Sequence, residues 1–306
     1  MRPGSRTLAS IVLCAALLIG ACGDDTSGPG DNDNARLTIR LTDAPGDVKA
    51  AVVTISEIYL QGGGEGRTVV SDAAITTDLV TLANTATVIV DQADIPSGTY
   101  QELRFVITGG YLEVEDDVGG SRFFASSADY AGLPAGVVPD GELVMPSLGT
   151  SGLKVDFDGA LVLDGEHEVL VDFDVAQSFG HEAGNSGRWI MHPVIRGAWA
   201  TQAASLRVSL ALGDGVVLPE LGGVAITLAN FRASLDNQQQ PFVSGSSGFQ
   251  AVYQYRLPGS YAVTIIGPLG LSFVTEPAGP QGVTLTAGQE ATAAFTITGV
   301  NILPGG

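Results

Sequence analysis

The chain has 306 residues, 33 acidic against 14 basic, for a formal net charge of −19. That excess of carboxylates argues against nucleic acid and anionic lipid surfaces as partners, because both are held by clustered Lys and Arg. Its 41 glycines and two cysteines point to a turn-rich chain without a disulfide framework.

The first element is an apolar run from Leu8 to Ile19, preceded by Arg2 and Arg6 and followed by Gly20, Ala21 and Cys22. A bilayer-spanning helix needs roughly 20 apolar residues, so this run is too short to span. A basic start, a short apolar core and small residues at its end form the pattern of a secretory signal peptide. The tetrapeptide Ile19-Gly20-Ala21-Cys22 also resembles a bacterial lipobox. That resemblance implies cleavage before Cys22, which then becomes the first mature residue and carries acyl chains. Residues 1–21 are therefore expected to be a cleaved lipoprotein signal peptide. Cys22 would anchor the protein to a membrane of the cell envelope, facing the periplasm or the exterior. Each buried acyl methylene contributes ~0.8 kcal/mol, so several chains hold firmly. The alternative is an ordinary signal peptide, with Cys22 an incidental thiol. Cys14 leaves with the signal in either case, so no intramolecular disulfide can form. Residues 22–35 are mostly small and polar and read as a flexible tether.

The remaining chain divides by charge. From Cys22 to Trp199 there are 28 acidic and 9 basic residues, a net of 9 − 28 = −19. From Ala200 to Gly306 the net is 3 − 5 = −2. Both parts alternate apolar and polar residues in short runs, as in "LTIRL" (37–41), "SLRVSLAL" (205–212) and "YAVTI" (261–265). Such period-two runs bounded by Gly, Pro, Asp and Asn predict strands with one buried face. No amphipathic helix longer than two turns is evident. The expected fold is all-β, two tandem β-sandwich domains at 36–199 and 205–299, with the boundary in "WATQAASL".

Six segments of the first part form an ordered set: "RLTIRLTDAPGDVKAAVVTISEIYL" (36–60), "DLVTLAN" (78–84), "IPSGTYQELRFVI" (95–107), "MPSLGTSGLKVDF" (145–157), "LVDFDVAQSF" (170–179) and "RWIMHPVIRG" (188–197). In order and spacing they resemble a bacterial lipoprotein family, the domain of unknown function 4382, over roughly Arg36 to Ala198. The resemblance implies an exported, β-rich, lipid-anchored protein and supplies no catalytic residues. The second part, through "YRLPGSYAVTI" (255–265) and "GVTLTAGQEATAAFTIT" (282–298), resembles a carboxypeptidase-regulatory or transthyretin-like β-sandwich. Related pilin and adhesin sandwiches often carry a Lys–Asn crosslink. Here the only lysines are Lys49 and Lys154, both in the first part, so that crosslink cannot form in the second.

Motifs of chemistry are scarce. His167, His181 and His192 lack metal-ligand spacing, and "HEAGN" at His181 has no second histidine. There is no nucleophile elbow, phosphate loop or dinucleotide fingerprint. The expectation is a non-enzymatic protein. A pair of catalytic carboxylates is the one enzymatic arrangement whose geometry a sequence does not reveal.

Two candidate sites remain. On "GRWIMHPVIRGAWA", Trp189 and Met191 share one strand face and Ile190, His192 and Val194 the other. Trp189 is either an exposed platform for a sugar ring or partner, or a cover for the core edge or interdomain joint. In "GLKVDFDGALVLDGEHEVLVDFDVAQSF" (152–179), a three-residue loop at 164–166 would make a hairpin that sets Phe157 opposite Phe173. Asp156 then faces Asp174, and Asp158 faces Asp172, giving four carboxylates suited to calcium. The alternative is a bulge at Gly159, or acids solvated at the surface. The expected function is binding of a ligand, glycan or envelope protein through the β-sandwiches. A passive structural spacer is the alternative, with a carboxylate-dependent polysaccharide-active enzyme behind both.

Overall fold

In a computed structural model, residues 34–44, 48–62, 66–116, 118–145, 151–179, 182–184 and 186–303 are described. The expected signal peptide, most of the expected tether, Cys22 and His181 lie outside these residues. The described fold is all-β. Its longest α-helix has five residues, Val175–Phe179.

The first strand, Asn34–Ala44, shows why the chain folds this way. Ala35, Leu37, Ile39 and Leu41 are each 0 % exposed, while Thr38 and Arg40 point to the other face. Period-two burial is what a strand on a core produces. This strand pairs antiparallel with Thr87–Pro96 and parallel with Glu166–Asp174. A second group is built on the longest ladder, Ala50–Gly62 against Gly98–Glu115. Leu153–Phe157 links the groups, pairing antiparallel with Gly98–Glu115 and parallel with Ile195–Trp199. Between them lies one apolar core that includes Phe105, Phe124, Phe173 and Phe179. Each such side chain contributes on the order of 1.5–3 kcal/mol when fully buried.

The expected hairpin between residues 157 and 173 does not form. Leu161–Leu163 pairs with Gly98–Tyr100 instead. Glu166–Asp174 takes Asn34–Ala44 on one side and Ile195–Trp199 on the other. That last strand stands between the two acidic strands, with Arg196 in register with both Asp172 and Asp156. An inserted arginine replaces directly opposed carboxylates, which destabilise a sheet. Gly197 makes the insertion fit, since a Cβ there would lie 2.3 Å from the Phe157 ring.

After Trp199 the chain makes one short 3-10 turn, Ala200–Gln202, and enters a second set of sheets. Ala204–Leu212 runs between Gly248–Arg256, antiparallel, and Glu290–Ile302, parallel. Facing them is a four-stranded sheet, in the order Gln238–Pro241, Arg232–Leu235, Gly259–Ile266, Gln281–Leu285. Leu206, Val208, Phe231, Leu235, Val263 and Phe295 fill the space between. The two apolar cores are separate clusters, yet residues 32–306 form one compact unit.

Candidate functional site

The border between the two sheet systems is polar. Asn84 sits just after the 3-10 turn Leu79–Leu82 in a left-handed conformation (φ 58°), which Asn tolerates better than most residues. Its Nδ2 donates to the Val252 carbonyl (2.8 Å), and its Oδ1 accepts from the Gln254 N–H (3.3 Å) and from Arg256 Nη2 (3.4 Å). One side chain of the first system thereby ties down the end of a strand of the second.

Charged groups are buried beside this tie. Asp43 ends the inward series Leu37, Ile39, Leu41 and is 0 % exposed; Asp172 and Asp174 are each 6 % exposed, and Arg256 is 2 %. Asp43 Oδ1 accepts from the Val175 N–H (3.2 Å). Burial, and after it the charge of Asp172, pushes the Asp43 carboxyl up to about 9, so it is neutral at pH 7. Burial raises Asp172 to about 6, while the nearby Arg256 charge pulls it back down. Asp174 is fully engaged: Gln177 donates to it from N (2.9 Å) and from Nε2, and Arg196 Nη2 lies 3.7 Å away.

A cavity of about 460 Å³ opens here, within the range of small-molecule sites. Asp172, Asp174, Arg196, Gln238, Arg256 and Tyr261 line it. Three of its lining residues also hold a buried side-chain atom without a hydrogen-bond partner: Asp172 Oδ1, Gln238 Oε1 and Arg256 Nε. A second cavity of similar volume is lined by Asp156, Phe157, Asp158, Arg196, Trp199 and Pro258. Arg196 belongs to both.

The four aspartates expected to share a calcium ion are thus divided, Asp156 and Asp158 on one cavity and Asp172 and Asp174 on the other. Among the described residues no group of three or more His, Cys, Asp or Glu side chains is arranged to hold a metal ion. Trp189 is no exposed platform. It is 8 % exposed, its Nε1 donates to the Phe179 carbonyl, and its ring packs 5.2 Å from that of Phe124. The face shared by Trp189 and Met191 is the buried one, and His192 is exposed. Of the two tryptophans, the one that borders a cavity is Trp199, whose ring lies 5.2 Å from His167.

Asp43, Asn84, Gln238 and Arg256 escaped the sequence reading. For Asp43 the signal was present: extending the inward parity of residues 37, 39 and 41 by two places puts a carboxylate in the core. For Asn84 and Arg256 there was none, because their partners are 168 to 172 residues away.

Residues 34–193 match the family model described as "Domain of unknown function (DUF4382)". The chain belongs to this family. Within the DUF4382 region lie Asp43, Asn84, Asp172 and Asp174, whereas Arg196, Gln238 and Arg256 come from beyond it. No curated protein matches the chain in sequence. Among solved structures, the TIE protein of Bacillus anthracis shares 10 % identity, with a TM-score of 0.24 over 88 % of this chain and 41 % of that one. This chain therefore spans less than half the length of that protein. The minor pilin GBS52 of Streptococcus agalactiae shares 13 %, with a TM-score of 0.24 over 89 % and 98 %. A shaft pilin SpaA variant of Lactobacillus rhamnosus GG shares 10 %, with a TM-score of 0.22 over 89 % and 99 %. Superpositions this loose carry no information on the function of the DUF4382 chain.

Proposed function

We propose that the protein is a non-enzymatic lipoprotein of the cell envelope, anchored through acylated Cys22, that binds a ligand, glycan or protein partner at the border of its two β-sandwiches. In this reading residues 1–21 are cleaved and residues 22–35 tether the folded part to the membrane. Residues 36–199 form the DUF4382 sandwich, and residues 205–299 form a transthyretin-like or carboxypeptidase-regulatory-like sandwich. The observation that carries the binding part is the cavity whose wall holds Asp172, Gln238 and Arg256. A spacer needs no concave polar site, whereas a cavity lined by charged and polar side chains favours a binding protein.

The anchoring part is tested by fractionation and intact mass of wild type and Cys22→Ser. The expected result is an acylated wild type in the membrane fraction and an unacylated, released variant. A soluble wild type, or a variant that stays in the membrane fraction, overturns it.

An enzymatic second reading has one observation in its favour, Asp172 held at about 6 in a cavity it shares with Asp174. Against it, Asp174 is already held by Gln177 and Arg196. Release of reducing ends from polysaccharide by wild type, abolished in Asp172→Asn, would favour the enzyme over the binding protein.

A further inference from the structure

We propose that the second cavity, lined by Asp156, Phe157, Asp158 and Trp199, takes a small organic cation, an ammonium group carried on an apolar body. This site is separate from the cavity that carries the reading above and depends on different residues. Phe157 and Trp199 are half-buried, Asp156 and Asp158 are exposed, and all four border a space of about 460 Å³. That volume lies within the range of small-molecule sites. Leu257, Pro258 and Ala287 of the second sheet system also line it. The two aspartates lack the partners their positions offer. Asp156 is in register with Arg196, and Lys154 lies two places before it, on the same strand face. Both cations are drawn to other acids. Arg196 Nη2 lies 3.7 Å from Asp174 Oδ2, and Lys154 Nζ lies 3.4 Å from Glu102 Oε1. Among the described residues neither Asp156 nor Asp158 has an ion pair or a side-chain hydrogen bond.

Two unanswered carboxylates beside two aromatic rings select the guest. An ammonium group donates charge-assisted hydrogen bonds to carboxylates and is attracted to the face of an aromatic ring. An anion is repelled by Asp156 and Asp158. A neutral alcohol or sugar leaves their charge unanswered. A metal ion finds two carboxylates here but no third ligating His, Cys, Asp or Glu among the described residues, and it gains nothing from the apolar lining. That lining, with Leu161, Leu257 and Pro258 beside the rings, calls for a cation with a hydrocarbon or aromatic body.

The test titrates the full chain, purified in detergent, with benzylamine and butylamine by calorimetry, against a detergent blank. Benzyl alcohol, benzoate and glucose are the neutral, anionic and sugar arms. Saturable binding of at least one amine is expected, with those three probes about tenfold weaker or worse. The double variant Asp156→Asn/Asp158→Asn should lose about tenfold in amine affinity. It should do so without lowering the melting temperature, because both carboxylates are exposed and unpaired. Gln238→Met, which changes the first cavity alone, should bind the amine as wild type does. Tighter binding of the alcohol, benzoate or glucose than of both amines overturns the ligand class. No saturable amine binding, or binding that the double variant leaves unchanged, overturns the site. Amine binding that is lost in Gln238→Met overturns it too, by moving the guest to the first cavity.

Discussion

The two sheet systems contribute opposite charges to their common border. The first buries the carboxylates Asp172 and Asp174 there, beside the neutral carboxyl of Asp43, and the second buries a cation, Arg256. Net charge also differs along the chain in size, −19 for residues 22–199 against −2 for residues 200–306. Most of the first system's acids face water and serve solubility. The few at the border do something else. Asp172 makes the first system electrostatically incomplete without Arg256 of the second, because a buried charge is costly unless an opposite charge or hydrogen bonds answer it. The apolar cores show the reverse relation. Each closes within its own system, and among the described residues no buried apolar cluster joins them. The comparison teaches that packing separates the two halves and polar groups couple them.

The largest test of separation is Phe231→Ala, which empties a fully buried position of the second core. A loss of about 3–5 kcal/mol is expected, confined to one of two calorimetric transitions, with the first core melting as in wild type. Fragments 36–199 and 205–299 should likewise each fold when made alone. A single transition that shifts as a whole, together with unfolded fragments, would break the separation.

The coupling is tested next. Arg256→Met leaves Asp172 without the charge that restrains its rise and removes a donor to Asn84. A destabilisation of about 3 kcal/mol is expected, partly recovered in the double variant Arg256→Met/Asp172→Asn. Strictly additive single effects in denaturant unfolding would show that the two charges do not interact.

The pH dependence sharpens the same point. Below the unfolded value of 3.8, Asp43 carries its proton in both states. Between 3.8 and about 9 the unfolded chain loses that proton while the folded chain keeps it, so stability falls as pH rises. The slope is at most about 1.4 kcal/mol per pH unit for each proton held. Asp172 adds the same sign only up to about pH 6. Glu102, Glu182 and Glu290, held low by arginine side chains, act oppositely and weaken the fold only as pH drops through their lowered values. Asp43→Asn should flatten the decline between pH 6 and pH 9. An unchanged slope would show that Asp43 ionises freely in the folded chain.

The smallest effect is expected at Asn84. Asn84→Gly keeps the left-handed backbone but removes the side-chain bonds to Val252 and Gln254, at about 1 kcal/mol. Asn84→Ala should cost about 1 kcal/mol more, because alanine disfavours that φ. Equal stability of the Gly and wild-type proteins would remove Asn84 from the coupling.

Legibility varied with the range of the interaction. The all-β fold followed from alternation such as Leu37, Ile39, Leu41, because side-chain direction in a strand depends on parity alone. The family of the first part was readable from six ordered segments. Partners were not. The 157–173 hairpin was the shortest closure consistent with parity, and it lost to a parallel pairing with residues 36–44 and an inserted strand bearing Arg196. Trp189 was placed correctly on a face with Met191, but parity does not say which face is covered.

What the sequence determined by itself was therefore local: strands in place of helices, turns at glycines and the net charge of each half. Each follows from steric preference, side-chain period or charge, which act within a few residues. Only the tertiary structure decided which strands pair, which side chains lose water, and that Asp172, Gln238 and Arg256 converge on one cavity. Those outcomes depend on contacts between residues far apart in the chain, where many registers satisfy the same local pattern. The choice among them is made by the burial of whole faces and the balance of a few buried charges.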